Sequence, residues 1–474
     1  MTTKTVLDIW VVDLTFPGYM DWWAEQARKF EERHPDYDVN IVALGFFTGP
    51  QEVSAAIGKG ANPAVVEYYF YLGRVARDVR TPDGAPQFTS VQQAVDGRAE
   101  ILGEPVVLDD IIPALRQYYS DDGDLVSMPS AGTTSVLYGN TDLLEAAGVS
   151  RMPRTWAEVE AACEAVAKLT GGPSHGITWS NHGMFFQQAL ATQGGLLTDN
   201  DNGRSGRATK IDLASPQMLA WAQWWRRLHR AGHYLYTGKV PDWQGTFQAF
   251  AEGRTALRLS SSNDVNYTVQ AAKGAGFGLE VGAYPYNGEV PYAGNAVAGS
   301  SFWLSDRLDD RTRDGALAFL QFVHNPRNAA DRHKETSFLP LTHSAVDLLE
   351  KEGWFDANPH HRVPGDQLAA YPRQDGASAP ADGAPPSKGA LYGDFARIQD
   401  IMTRAMHDVL VDDTDVTARF ARATADAQRL LDEYNANAPA VAPGGTDTLR
   451  VEFFTDAESY SGADMDKAAK LERR

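Results

Sequence analysis

The chain has 474 residues, too many for one core, because single hydrophobic cores stop growing near ~250–300 residues, so two domains or lobes are expected. Its 43 Lys plus Arg against 62 Asp plus Glu give a net charge of −19 with no basic patch standing out, which argues against a nucleic-acid partner. A single cysteine excludes an internal disulfide, and no apolar run reaches the ~18 residues of a membrane span.

In chain order, MTTKTVLDIWVVD has no basic start followed by an apolar stretch and a cleavage site, so no secretory leader is expected. Its second half, TVLDIWVVD, reads as a strand. GYMDWWAEQARKFEERHP then puts Met20, Trp23, Ala24, Ala27 and Phe30 on one helical face and stops at His34-Pro35, and DVNIVAL is a second strand. This β-α-β opening implies a parallel sheet covered by helices, hence an α/β fold. VEYYFYLG follows, with Tyr68, Tyr69, Phe70 and Tyr71 in a row. Four successive rings cannot share one face of a strand or helix, so some of them look away from the core.

Further on, Thr155 and Glu158 form a capping-box pattern ahead of a helical stripe of Val159, Cys163, Val166 and Leu169, which places Cys163 in a core. In SPQMLAWAQWWRRLHRAG, Ser215 caps, Pro216 suits the first turn and Gly232 ends the run. DGALAFLQFVHNP gathers Ala316, Phe319, Leu320 and Val323 on one face. Gln374 to Lys388, rich in Ala, Gly and Pro, reads as a loop. Amphipathic helices follow around Ile398–Leu410 and Val416–Tyr434, then a linker, APAVAPGG, and a short tail. No internal repeat is apparent.

Five segments in this order, GKGANPAVVEYY, PRTWAEVEAACEAVAKL, FQAFAEGRTALRLSSS, GNAVAGSSFWLSD and ETSFLPLTHSAVD, resemble the landmarks of the family 1 solute-binding proteins of ABC importers, the maltose-binding type. Through YYSDDGDLVSMPSAGTTSVLYGNTDLL and AFLQFVHNPRNAADRHKETSFLPLTHSAVDLLEKEGWFDANP the chain is most similar to the glycerol-3-phosphate binding subgroup. The resemblance runs from about Val6 to about Asn435. It implies a type II periplasmic-binding-protein-like fold, two α/β lobes joined by crossing strands with the ligand cleft between them. On this chain the first lobe is expected at 1–132 and 288–330 and the second at 133–287 and 331–440, with 441–474 as linker and tail.

The same resemblance implies the site. Tyr68 and Tyr71 match positions used for ligand contact, which leaves Tyr69 and Phe70 for the core. Trp10 and Asp13 are expected on the way from the first strand to the cleft, and Gly132, Thr133 and Thr134 at the first crossing. Trp179 and Phe185 lie in the segment that carries a Trp pair in the glycerol-phosphate binders, whose two positions hold Asn181 and Met184 here. Ser261, Ser262 and Asn263 supply polar groups after a strand. Ala298, Gly299 and Ser300 form a small-residue turn. Phe338 stands where those relatives have Tyr, and Tyr392 or Asp394 is expected to reach the cleft from KGALYGDF.

Leu391 occupies the place of the relatives' phosphate-binding Arg, unless a shift of one turn brings Arg397 there. Loss of that cation removes ~1.5–3 kcal/mol of charge-assisted bonding, which points from glycerol phosphate towards a neutral sugar or oligosaccharide. Stacking rings and neutral hydroxyl and amide groups suit a sugar.

Catalytic and metal signals are poor. LTDNDNGRSGRATK spaces Asp199 and Asp201 like a calcium loop, but Gly203 and Lys210 stand where ligands would be needed. His360-His361 has no metal-ligand spacing, and Ser260–Ser262 has no nucleophile-elbow glycines. No catalytic residue, metal or cofactor is therefore expected.

Two functions follow. The first is a carbohydrate receptor, monomeric and extracytoplasmic, working with ABC permease subunits. The second is a cytoplasmic protein, such as an enzyme, that has reused the fold, for which the missing leader and the absent N-terminal lipid-attachment cysteine speak.

Overall fold

The computed structural model describes residues 3–14, 18–45, 49–368 and 389–437. The loop expected at 374–388 and the linker and tail at 441–474 lie outside the described residues.

Two sheets organise the described chain. In the first, strands Tyr37–Gly45, Thr5–Asp13 and Val65–Tyr69 run parallel. Ala298–Ser305 joins antiparallel to Val65–Tyr69 and also pairs with Phe88–Thr89 and Met128–Thr133. Leu7, Ile9, Val11 and Val12 are all buried, as expected of a strand covered on both faces. Helix Tyr19–Arg33 packs there through Tyr19, Trp23, Gln26, Ala27 and Phe30. Its buried face is turned slightly from the expected one: Ala24 is exposed and Met20 half-buried. Helix Asp310–Val323 is buried from Gly315 to Val323, more than the single stripe anticipated.

The second sheet has the order Tyr234–Leu235, His175–Thr178, Thr255–Ser261, Ser135–Asn140, Leu279–Ala283. Helix Trp156–Val166 carries the expected capping box and buries Val159, Cys163 and Val166, while Leu169 is half-buried beyond its end. The helix lies so close to its strand that a Cβ on Gly176 would stand 2.5 Å from the Cys163 sulfur, so glycine is required there. Ser215 caps helix Pro216–Arg230, whose Trp221, Trp224 and Trp225 are buried. Helices Phe395–Val411 and Val416–Asn437 pack against each other and on this second unit.

The chain crosses between sheets at Thr133–Ser135 and returns through residues 284–297. The crossings are tied together: Thr134 Oγ1 donates to the Ala296 carbonyl at 2.9 Å, and Gln188 Nε2 donates to the same oxygen at 2.7 Å. Each sheet with its helices forms one α/β lobe.

Residues 326–351 bond to both lobes. Ile112 N donates to Leu341 O at 3.0 Å and Ser344 N to the Asp110 carboxylate in the first. The side chain of Asn266, in the second, donates to Lys334 O at 3.1 Å.

Candidate functional site

A cavity of about 90 Å³ lies between the lobes. The first lobe contributes Tyr69, Phe70 and Tyr71, which leave the end of strand Val65–Tyr69 through a short 3₁₀ turn, together with Ala298 and Gly299. Thr133 stands at the crossing. The second lobe contributes His182 and Met184 at the start of helix Gly183–Thr192, Trp243 at the start of helix Trp243–Ala251, and Ser261, Asn263 and Asp264 at the end of strand Thr255–Ser261. Phe338 completes the wall. Carboxyl ends of strands feeding helix N-termini are where α/β sheets present loops to ligands.

The rings of Tyr69, Phe70, Tyr71, Trp243 and Phe338 line the space with the His182 imidazole, and among the described lining residues none is Lys or Arg. His182 is neutral: burial lowers its pKa to about 3, and its Nδ1 accepts from Met184 N at 3.2 Å. Its ring lies 5.0 Å from Trp243, centroid to centroid. Tyr71 packs 5.7 Å from Tyr69 and 6.1 Å from Phe395. Burial raises the pKa of the Tyr71 phenol, so it remains a neutral hydroxyl. Gly299 has φ +134, and a Cβ there would lie 1.9 Å from the Ala131 carbonyl oxygen, so this wall is backbone by necessity.

Of the residues expected from sequence, Tyr71, Thr133, Ser261, Asn263, Ala298, Gly299 and Phe338 come together around this cavity. The others are placed elsewhere, for identifiable reasons. Tyr68 points to the opposite side of its strand, 2% exposed, with its ring against Phe88, so the expected division of the row holds for Tyr71 alone: Tyr69 and Phe70 line the cavity beside it where Tyr68 was expected. Trp179 is 1% exposed, stacked 5.8 Å from Trp224 and packed against Trp221, Trp225 and Tyr234, which makes it the centre of a lobe core. Phe185 is buried behind Trp243. Tyr392 is buried, stacked on Phe395 at 4.7 Å.

Hydroxyls are also diverted. Ser300 Oγ donates to the Glu67 carboxylate, which also accepts from Val12 N at 2.9 Å. Ser262 Oγ accepts from Thr134 N at 3.1 Å, and Thr134 Oγ1 serves the crossing, so both act at the joint. Trp10 and Asp13 lie on their strand outside the lining, Trp10 half-buried against the core.

Leu391 is buried beside Gly73, with its N donating to Asn202 O at 2.8 Å. Arg397 lies outside the lining and pairs with Asp394 at 2.9 Å. The Asp199 carboxylate accepts from Thr209 N, Thr209 Oγ1 and Lys210 N, fastening a polar turn. Sequence reasoning passed over His182, Trp243 and Asp264. Their shared signal is position, a strand end or the first residues of the next helix.

Two α/β lobes joined by crossing strands around an aromatic cavity define a solute-binding receptor of the ABC-importer type. A family model described as bacterial extracellular solute-binding protein matches residues 25–363, and the chain belongs to that family. The sn-glycerol-3-phosphate-binding periplasmic protein UgpB of Salmonella typhimurium is 27% identical over 397 residues, covering 81% of this chain and 83% of that protein. The cyclic alpha-maltosyl-1,6-maltose binding protein of Arthrobacter globiformis superposes with a TM-score of 0.70 at 18% identity, covering 91% of this chain and 100% of that one. UgpB of Mycobacterium tuberculosis, solved with glycerophosphocholine, gives a TM-score of 0.65 at 19% identity over 90% of this chain and 99% of that one. These structural likenesses show the fold. No helix among the described residues is long and apolar enough to cross a membrane.

Proposed function

We propose that this receptor binds a neutral sugar or oligosaccharide between its lobes, closes on it about the crossing strands, and presents it outside the cytoplasm to the permease of an ABC importer. The observation that carries the reading is the cavity wall: rings of Tyr69, Phe70, Tyr71, Trp243 and Phe338, neutral donors and acceptors on Thr133, Ser261 and Asn263, and no Lys or Arg among its described residues. Sugar C–H faces pack on rings and sugar hydroxyls bond neutral polar groups, whereas a phosphate needs cationic or clustered N–H donors. At about 90 Å³ the cavity has room for only a handful of waters, so a sugar enters by parting the lobes and is enclosed when they return.

Glycerol phosphate or a glycerophosphodiester is the second reading, favoured by the curated relatives such as the Salmonella typhimurium protein. Against it stands a wall that offers no Lys or Arg among its described residues and includes the Asp264 carboxylate. Calorimetry with glucose, maltose, cellobiose, glycerol 3-phosphate and glycerophosphocholine, at low and high salt, separates the two. A neutral sugar should bind best, with an affinity that varies little with salt. Tight, salt-sensitive binding of glycerol 3-phosphate would overturn the proposal.

A further inference from the structure

Beneath the cavity the second lobe holds a buried ion pair. Arg258, on strand Thr255–Ser261, is 0% exposed, its guanidinium 5.3 Å from the centre of the Phe247 ring and 5.8 Å from that of Tyr138. Its Nη2 donates to Asp264 Oδ2 at 2.8 Å, and Ser260 Oγ donates to the same oxygen. The pair is neutral as a unit, which is how a buried guanidinium is tolerated.

The other carboxylate oxygen is differently placed. Asp264 ends the 3₁₀ turn Ser262–Asp264 that runs directly into helix Val265–Ala275, and its side chain makes no capping bond. Asp264 lines the cavity, and Oδ1 has no hydrogen-bond partner among the described residues. Arg258 and Ser260 thus hold the carboxylate by one oxygen and leave the second for whatever occupies the cavity.

We propose that Asp264 Oδ1 is the fixed acceptor that determines specificity, taking a hydrogen bond from a hydroxyl of a neutral polyhydroxylated ligand and turning anions away. This rests on the sugar reading and names the atom that enforces it. A neutral hydroxyl satisfies Oδ1 without disturbing the charge balance of the pair. A phosphate oxygen brought to the same place meets lone pairs, while the Arg258 guanidinium is fully buried and engaged by the other oxygen of the same carboxylate.

Asp264→Asn tests this, because the amide oxygen turns to Arg258 and the NH₂ group then faces the cavity, replacing an acceptor by a donor. Calorimetry on parent and variant would use glucose, maltose and cellobiose, their monodeoxy analogues, and glycerol 3-phosphate, with melting temperatures recorded alongside. The variant should lose roughly tenfold or more in affinity for the sugar that the parent binds, while glycerol 3-phosphate gains relative to it. In the parent, one monodeoxy analogue should show a similar loss, and that comparison decides the matter if the variant does not fold. A bound neutral sugar with unchanged affinity in a folded Asp264→Asn, or with every monodeoxy analogue binding like the parent sugar, overturns this inference alone. Binding of glycerol 3-phosphate in preference to every neutral sugar overturns the sugar reading itself.

Discussion

At the scale of single residues, Tyr71 and Trp179, both expected at the cleft, part company in the structure: Tyr71 lines the cavity and Trp179 lies in a lobe core. Trp179 sits among three tryptophans and a tyrosine, with Tyr234 OH donating to its carbonyl at 2.7 Å. Truncating such a ring leaves a cavity, so Trp179→Ala should cost about 3–5 kcal/mol of stability in urea titration, with ligand affinity of the remaining folded protein little changed. Tyr71 lines the site, and Tyr71→Leu keeps most of its volume while removing the ring face and hydroxyl. That variant should bind the ligand roughly tenfold more weakly by calorimetry and melt close to the parent. A large drop in melting temperature with unchanged affinity would make Tyr71 a packing residue.

Among elements, the lobes meet at a polar contact that the sequence did not disclose. Asp78, on the helix that follows the ring row, accepts from Arg74 on its own lobe. From the other lobe it accepts from Arg207 Nη2 at 2.7 Å and Tyr434 OH at 3.0 Å. Burial alone would raise the Asp78 carboxyl, but Arg74 and Arg207 outweigh it and hold it below its usual range. A depressed carboxyl contributes stability above its unfolded value of about 3.9, and that contribution is lost as pH falls through the lower folded value. Arg207→Ala removes the charged cross-lobe leg and leaves the Tyr434 hydroxyl on Asp78. Because Arg207 is 35% exposed, the loss should be near the low end for charge-assisted bonds, about 1.5 kcal/mol. It should appear in small-angle scattering as a larger radius of gyration for the unliganded protein, and an unchanged profile would show that the contact does not restrain the lobes.

Such a contact illustrates what sequence can carry. Hydrophobic periodicity and caps marked helices Trp156–Val166 and Pro216–Arg230 because those signals are local. The row of rings announced that some face outward, but which do so depends on where the strand ends, and it ends at Tyr69, so alternation stops before Phe70 and Tyr71. Asp264 and Trp243 were illegible because Asp and Trp at helix starts usually cap and pack. Only the juxtaposition of two lobes makes them a lining.

For the whole molecule, neutral buried histidines set the acid limit. Burial lowers His182 and His333 to about 3 and His324 and His361 to about 4. Each takes up a proton in the unfolded chain near pH 6.5 but not in the folded one, so each contributes stability above pH 6.5 that is lost progressively towards its folded value. The melting temperature should therefore fall steadily from pH 7 to pH 4. A flat profile over that range would show that these rings are not held neutral.

The proposed role of the molecule turns on a neutral polyhydroxylated ligand held in the space between the lobes. The most direct measurement is a crystal structure with whichever neutral sugar of the panel binds best. It should show the sugar ring among Tyr71, Trp243 and Phe338, touching both lobes, with a hydroxyl within hydrogen-bond distance of Asp264 Oδ1. A sugar bound outside this cavity, or touching one lobe only, would contradict it.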